Sequence, residues 1–446
     1  MMIAALACNL TSDSRPPTII PRASATPPPT IGYPTIAPDE LPQEATITAP
    51  DTDETVLLGV LNQVQPDRLF THVSALQAFN TRHVNSSTID PNQGIGAASN
   101  YILDQFNQIQ NGSQGRFVVL EPHQFTIDWG EQQSVGQNII GVLSGRETGG
   151  GVILIGAHYD STSSDFESGT AYAPGANDNA TGVAALIEIA RIMSERQPRA
   201  TVMFVAFSGE EINRRGSIAF VNDYLLPNDI PIDAMINLDI IGSSTSPSGA
   251  TIDDQIRLFS TEPNNSSSRN LARAINLIAS RHAPMMSVEV EPTVDREGRY
   301  SDHISFSDVG FPAVRFIEYY EDPNRQHTDR DTLNTVRPSY LVPATQTILA
   351  ISTALADGPR APRSISLRDN SDGNRTLVWE TTPGAETYVV ALRQPGSLVY
   401  NYYFDVNGNS VIWDGFLPSR WEAIAIAARD ADGLMGPLSD EFIITN

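Results

Sequence analysis

Five short apolar runs in the middle of the chain limit the possible folds more than any other feature. They are QNIIGVLSG (137–145), GVILIGAHYD (151–160), TVMFVAFSGEE (201–211), AMINLDIIG (234–242) and PAVRFIEYY (312–320). Each reads as a buried strand, and helical patterns lie between them. In TGVAALIEIARIMSERQ (181–197), Val183, Leu186, Ile187, Ala190 and Met193 fall at helical spacing. Strands alternating with helices predict a largely parallel or mixed sheet covered on both faces. In such sheets ligands gather beyond the carboxyl ends of the strands.

The residues just past those ends carry the chemistry. His158 and Asp160 follow GVILIGA, and Asp178 lies in the loop GANDNATG. Glu210 and Glu211 follow TVMFVAFSG, Asp239 follows AMINL, and His327 comes shortly after FIEYYEDPNRQ. A single histidine is more often a structural hydrogen-bonder, and paired glutamates are usually a solvated face. Their joint placement is the signal, because independent surface charges have no reason to collect at one end of a sheet. Zinc takes imidazole nitrogen and carboxylate oxygen at about 2.0–2.2 Å. Two metals about 3.5–4 Å apart can share one carboxylate and one water. Such a pair needs two terminal ligands per metal, a bridge, and a further group outside the metal shell to take the water's proton. Neighbouring side chains diverge, so one of Glu210 and Glu211 can bind metal while the other faces substrate. Gly209 lets the chain turn after the strand.

AHYDS (157–161), GANDNATG, SGEE (208–211), NLD (237–239), SDH (301–303) and HTDRDT (327–332) together resemble the co-catalytic zinc aminopeptidases of metallopeptidase family twenty-eight. The resemblance spans roughly residues 65–350, and it implies a three-layer αβα sandwich with a central mixed sheet. By it, Asp178 is the bridging carboxylate. His158 and Asp239 hold one zinc, and Glu211 and His327 hold the other, two Zn2+ per chain. Glu210 is the general base, and Asp160 the carboxylate that orients His158, a turn or N-cap aspartate being its plainer alternative. The Asp178–Asn179 peptide is expected to be cis. Asp302 and His303 are expected to support the rim through hydrogen bonds. His72, His83, His123 and His282 fit no motif position. Family members commonly place an oxyanion-stabilising tyrosine before the last histidine, where this chain has Gln326. Tyr300 is the candidate donor instead, with Tyr319 and Tyr320 as alternatives.

Composition excludes other classes. Aspartate and glutamate total 52 against 28 basic residues, all arginine, for a net charge of −24. Such a chain repels phosphate backbones, so nucleic acid is not an expected partner. The one cysteine, Cys8, permits no intrachain disulfide. No apolar run reaches the roughly 18 residues of a membrane span. Residues 1–50 hold ten of the 31 prolines and read as an extended tether. MMIAALAC resembles the end of a bacterial lipoprotein signal. It implies lipidation of Cys8, a membrane tether, and an extracellular or cell-envelope location; an untethered tail with an incidental cysteine is the alternative.

Residues 51–357 are expected to form the peptidase domain, with a break near Asp357-Gly358-Pro359. Beyond it, TLVWE, TYVVALR and EAIAIAARD are short, β-rich and separated by Asp-Gly and Asn-Gly turns. Residues 360–446 therefore predict a small all-β sandwich. Trp379 and Tyr388 make it similar to a fibronectin type III module. Tyr400, Tyr402, Tyr403 and Trp413 suit its packing, or else a face that binds a surface or polymer. The leading functional reading is an aminopeptidase acting on peptide or protein N-termini. A carboxypeptidase-type relative, a single-zinc glutaminyl cyclase and a non-catalytic binding protein on the same scaffold are the alternatives. Loops 161–175 and 243–255 either line the substrate pocket or are plain surface.

Overall fold

A computed structural model describes residues 55–296 and 298–445. The proline-rich tether and the Cys8 expectation lie outside the described residues. Nine strands form the main sheet: β1 (Phe117–Val119), β2 (His123–Trp129), β3 (Gln132–Leu143), β4 (Val152–His158), β5 (Thr201–Phe207), β6 (Ala234–Leu238), β7 (Gln255–Ser260), β8 (Ser287–Val290) and β9 (Ala313–Glu318). The order is β1-β3-β5-β4-β6-β9-β7-β8, with β2 paired to β3. Strands β5, β4, β6 and β9 run parallel. Their flanks β3 and β7 run antiparallel to them, which makes the sheet mixed. The five apolar runs are thus all strands, and the carboxyl ends of four of them share one edge.

Among the described residues eight α-helices pack around the sheet: α1 (Thr55–Leu61), α2 (Pro66–Ala78), α3 (Gly94–Gly112), α4 (Thr181–Met193), α5 (Arg215–Ala219), α6 (Ser267–His282), α7 (His303–Ser307) and α8 (Pro338–Asp357). Strand side chains alternate between two apolar layers, as a pleat requires. Ile153, Ile155, Val202, Phe204, Ile236 and Phe316 enter the larger layer with α4 and α8. Leu154, Met203, Val205, Met235 and Ala313 enter a thinner one with Phe220, Leu225 and Phe306. Helix α4 is buried along almost its whole length rather than on one stripe, so it is a core helix. Helix α8 is long and apolar enough to cross a membrane by length and composition, but most of it is buried in the core.

The C-terminal β domain contains β10 (Ser366–Asp369), β11 (Arg375–Val378), β12 (Thr387–Arg393), β13 (Tyr402–Val406), β14 (Ser410–Trp413), β15 (Ala423–Arg429), β16 (Met435–Leu438) and β17 (Phe442–Ile443). They form one sheet β10-β11-β14 and another β13-β12-β15-β16, with β17 on β15. Trp379 is buried edge-on against Tyr388 between them. Tyr402 stacks on Trp413 and Trp421, so these aromatics pack the sandwich. The outer face of the second sheet is not free. Val389, Ala391, Ala425, Ala427 and Met435 belong to the same apolar core as α8. A Cβ on Gly436 would lie 1.9 Å from the Pro359 carbonyl, so only glycine permits this approach.

His72 on α2 is buried, with Nδ1 2.8 Å from the Tyr101 hydroxyl and Nε2 without a partner. Burial, reinforced by Arg68, lowers its pKa to about 4. The unfolded chain therefore binds more protons than the fold between pH 6.5 and 4. The neutral ring's contribution is complete above pH 6.5 and is lost as pH falls toward 4. By pH 5 the loss is about 2 kcal/mol. Urea unfolding at pH 7 and pH 5 should show a smaller acid-induced fall for His72→Gln than for the unsubstituted chain.

Candidate metal centre

Each group at the rim is set by the end of a strand. His158 is the last residue of β4 and pairs in register with Phe207 at the end of β5. Gly209, at φ +75°, turns the chain so that Glu210 and Glu211 follow directly. Asp160 is fully buried, and its two carboxylate oxygens accept the backbone N–H groups of Glu210 (3.2 Å) and Glu211 (3.1 Å). The same carboxylate lies 3.5 Å from His158 Nδ1. Asp160 thus fixes the glutamate turn, while the hydrogen-bond partner of His158 Nδ1 is the Asp160 backbone carbonyl at 3.2 Å.

Asp178 lies in the segment Ala176–Ala180, before α4, and its peptide with Asn179 is cis. Several groups pin this segment. Asp331 accepts the N–H of Asn177 (2.8 Å) and of Asp178 (2.9 Å). Asn179 donates to the Leu238 carbonyl (2.8 Å) and accepts from Gly182 and Ile240. Glycine at 182 is required there, since a Cβ would sit 2.5 Å from the Leu238 oxygen. Arg82, fully buried, donates to the carbonyls of Tyr159 (2.7 Å), Pro174 (2.7 Å) and Gly175 (2.9 Å). The loop therefore cannot drift away from β4.

Two triads result, and Asp178 is common to both. Its Oδ1 is 3.4 Å from His158 Nε2, which is itself 3.3 Å from Asp239 Oδ1. Its Oδ2 is 3.4 Å from His327 Nε2, which is 2.9 Å from Glu211 Oε2. The other Glu211 oxygen is buried and has no hydrogen-bond partner among the described residues. Two sets of one imidazole and one terminal carboxylate about a shared carboxylate suit two zinc ions. Burial pushes the Asp178 carboxyl up, but the two imidazoles outweigh it and hold it well below the usual range. The Glu211 carboxylate, against the opposing effect of burial, raises His327 to about 11. Glu210 stands outside both triads. Burial lifts its carboxyl well above the usual value, with Asp239, Asp302 and Glu211 adding to the rise and His158 opposing it.

The cleft beside the triads has a volume of about 200 Å³. Tyr300 lines it and is 48% exposed, while Tyr319 and Tyr320 do not line it. Gln326, at the tyrosine position of the resemblance, accepts from Arg299 and donates to Glu321 (3.0 Å). Its role is to join two side chains at the cleft edge. Asp302 and His303 stand at the start of α7, where the Asp302 carbonyl accepts the Ser305 N–H at 3.1 Å. Both side chains are fully buried; His303 Nε2 lies 3.9 Å from Asp295 Oδ2, and a hydrogen bond from Ser217 pulls the Asp302 carboxyl down against burial. Burial raises Asp302 to about 7 and lowers His303 to about 4, so both tend to the neutral form. Of the two loops, 161–175 reaches the centre through Phe166, whose ring lies edge-on 5.5 Å from His327. Loop 243–255 does not line the cleft; Asn213, Arg214 and residues 296–300 do, save Glu297, which is outside the described residues.

Arg82, Asp331 and Arg315 all contribute and none was singled out from the sequence. Arg315, fully buried in β9, lies 3.0 Å from the outer oxygen of Asp239 and is gripped at 2.9 Å by both oxygens of Asp295. It fixes Asp239 so that Oδ1 is left toward His158. The available signal was an arginine within PAVRFIEYY, since a charge inside a buried strand must be paired.

The chain matches the model of Peptidase family M28 over residues 138–352. It is 30% identical over 387 residues, 77% of this chain and 86% of the relative, to a "Probable zinc metalloprotease" of Pyrenophora tritici-repentis. The LapA aminopeptidase of Legionella pneumophila has a TM-score of 0.52 at 18% identity, covering 70% of this chain and 77% of that one. A glutaminyl cyclase of Porphyromonas gingivalis has a TM-score of 0.50 at 19% identity, covering 65% and 97%. These two likenesses show a common fold. Sequence, fold and relatives together define a zinc metallopeptidase. The chain belongs to peptidase family M28.

Replacing Arg315 with Met should lower stability by about 3–5 kcal/mol, because two buried carboxylates lose their partner. The urea midpoint measures this. Arg315→Lys should recover only part of the loss, because an ammonium cannot replace the guanidinium fork.

Proposed function

We propose that this metallopeptidase is a two-zinc aminopeptidase that removes N-terminal residues from peptides. The observation that carries the reading is the pair of donor triads sharing Asp178, with Glu210 adjacent and outside both. His158, Asp178 and Asp239 would hold one zinc, and Asp178, Glu211 and His327 the other. Zinc, when bound there, acts as a Lewis acid toward a water and the scissile carbonyl. Glu210 accepts the proton released as water attacks that carbonyl, then delivers it to the leaving amine. A base whose carboxyl is raised toward neutrality suits both transfers. Asp160 keeps Glu210 in place through the backbone N–H it accepts. Tyr300, exposed in the cleft, is the candidate donor to the oxyanion. The acidic centre also attracts a free N-terminal ammonium, which favours this end of the peptide over the other.

A cyclase using one zinc has no need of the second triad. We also read the C-terminal β domain as fibronectin type III-like, and the Cys8 tail as a lipid tether that keeps the enzyme at the cell envelope. Both readings rest on sequence resemblance.

Elemental analysis of protein purified without chelator should give about two zincs per chain. Glu210→Gln should keep that zinc while lowering kcat on leucine p-nitroanilide by about 10²–10⁴-fold. One zinc, or a Glu210→Gln enzyme with full turnover, would sink the reading. Turnover of N-acetylated peptides from their carboxyl end, with no action on free N-termini, would replace it with a carboxypeptidase.

A further inference from the structure

The cleft wall is arginine-rich in a chain with nearly twice as many acidic as basic residues. Arg214, Arg296, Arg299 and Arg315 all line it. Two of the four are neutralised. Arg315 is held by Asp239 and Asp295, and Arg296 pairs with Glu321 and lies 3.5 Å from Asp295.

Neither of the other two makes an ion pair among the described residues, although the Arg214 charge reaches Asp308 and pulls its carboxyl down against burial. Among the described residues the Arg299 side chain donates to the neutral amide of Gln326, which in turn is held by Glu321. Arg214 makes no ion pair, and its Nη1 is buried with no acceptor. A buried guanidinium N–H without an acceptor is destabilising, and a ligand oxygen would relieve that cost. Both residues are also fixed at the backbone. Arg214 sits at φ +58°, and its N–H donates to the Glu210 carbonyl at 2.8 Å. The Arg299 N–H donates to the Arg296 carbonyl at 3.0 Å in a tight turn. The Arg214 guanidinium therefore starts from the same turn as Glu210.

We infer that Arg214 and Arg299 receive a substrate carboxylate, so that the preferred substrates carry negative charge close to the scissile bond. A guanidinium fork matches a carboxylate in shape and charge. That carboxylate has two possible sources: the acidic side chain of the residue released, or the C-terminal carboxylate of a short peptide. A cleft of about 200 Å³ accepts either.

The inference rests on the peptidase reading, and binding separates the two. Calorimetry on zinc-loaded Glu210→Gln protein compares leucylglycine with leucylglycinamide, and glutamylglycinamide with leucylglycinamide. The unsubstituted holoenzyme is then assayed on glutamate and leucine p-nitroanilides and on the same peptides. Absence of hydrolysis of every substrate overturns the peptidase reading, while the binding ratios still test the arginines. The carboxylate form should bind about tenfold more tightly in at least one comparison. A preference in the first comparison assigns the C-terminal carboxylate, and one in the second assigns the side chain. Arg214→Gln and Arg299→Gln, each made in the Glu210→Gln background, should shrink that ratio. Ratios within about twofold of unity overturn the inference. So does a preference that survives in both arginine variants.

Discussion

The centre depends on one carboxylate shared by two imidazoles. Asp178 lies between His158 and His327, so a small displacement would break both triads at once. Much of the surrounding structure serves to prevent that displacement. Asp331 anchors the backbone on the near side, Asn179 joins the loop to the end of β6, and Arg82 binds its carbonyls from beneath. A segment with non-helical dihedrals at Asp178 and Asn179 cannot be held by helical hydrogen bonds, so side chains supply them. The same logic explains why polar residues are buried here in such number. Each orphan backbone group of the loop needs a partner, and water has little access.

The centre was legible because its parts sit at strand ends. Once GVILIGA, TVMFVAFSG and AMINL are read as parallel strands, His158, Glu210, Glu211 and Asp239 must share an edge. The roles expected of Asp178 and His327 came from the family resemblance, since neither directly ends a strand. Arg82, Arg315 and Asp331 were not found, and the reason is physical. Their partners are distant in sequence: Arg82 reaches Gly175, and Arg315 reaches Asp295 and Asp239. Such pairings are set by tertiary packing. The oxyanion position was misleading in another way. Gln326 could be read only as a missing tyrosine, whereas in the fold it links Arg299 to Glu321.

The C-terminal β domain teaches a similar lesson. The composition change after Asp357 marks where strands replace helices. It does not mark where packing ends. Strands β12, β15 and β16 contribute residues to the core that contains α8. Arg281 of α6 pairs with Asp405 at 3.1 Å, and His282 Nε2 accepts the Met435 N–H at 3.1 Å. Alternating apolar residues on TYVVALR predict two buried faces equally well whether the second face meets another sheet or a helix. The shared core with α8, the contacts of Arg281 and His282, and the close approach at Gly436 tell the two apart.

Charge balance then bears on what the centre can hold. Asp160, Asp178, Glu210, Glu211 and Asp239 collect within one rim, and their mutual repulsion opposes folding. Arg315 and Arg82 offset part of it, and Arg82 sits close enough to Asp331, Asp160 and Asp178 to feel all three. The histidines offset more only by holding protons: His327 is raised to about 11, which an imidazole does only when carboxylates surround it. Those protons stand where a cation would stand. A pair of divalent ions would displace them and meet the carboxylates with greater charge, leaving the imidazoles neutral and able to coordinate. The raised His327 and the depressed Asp178 are therefore two sides of one electrostatic demand, which a bound cation would meet.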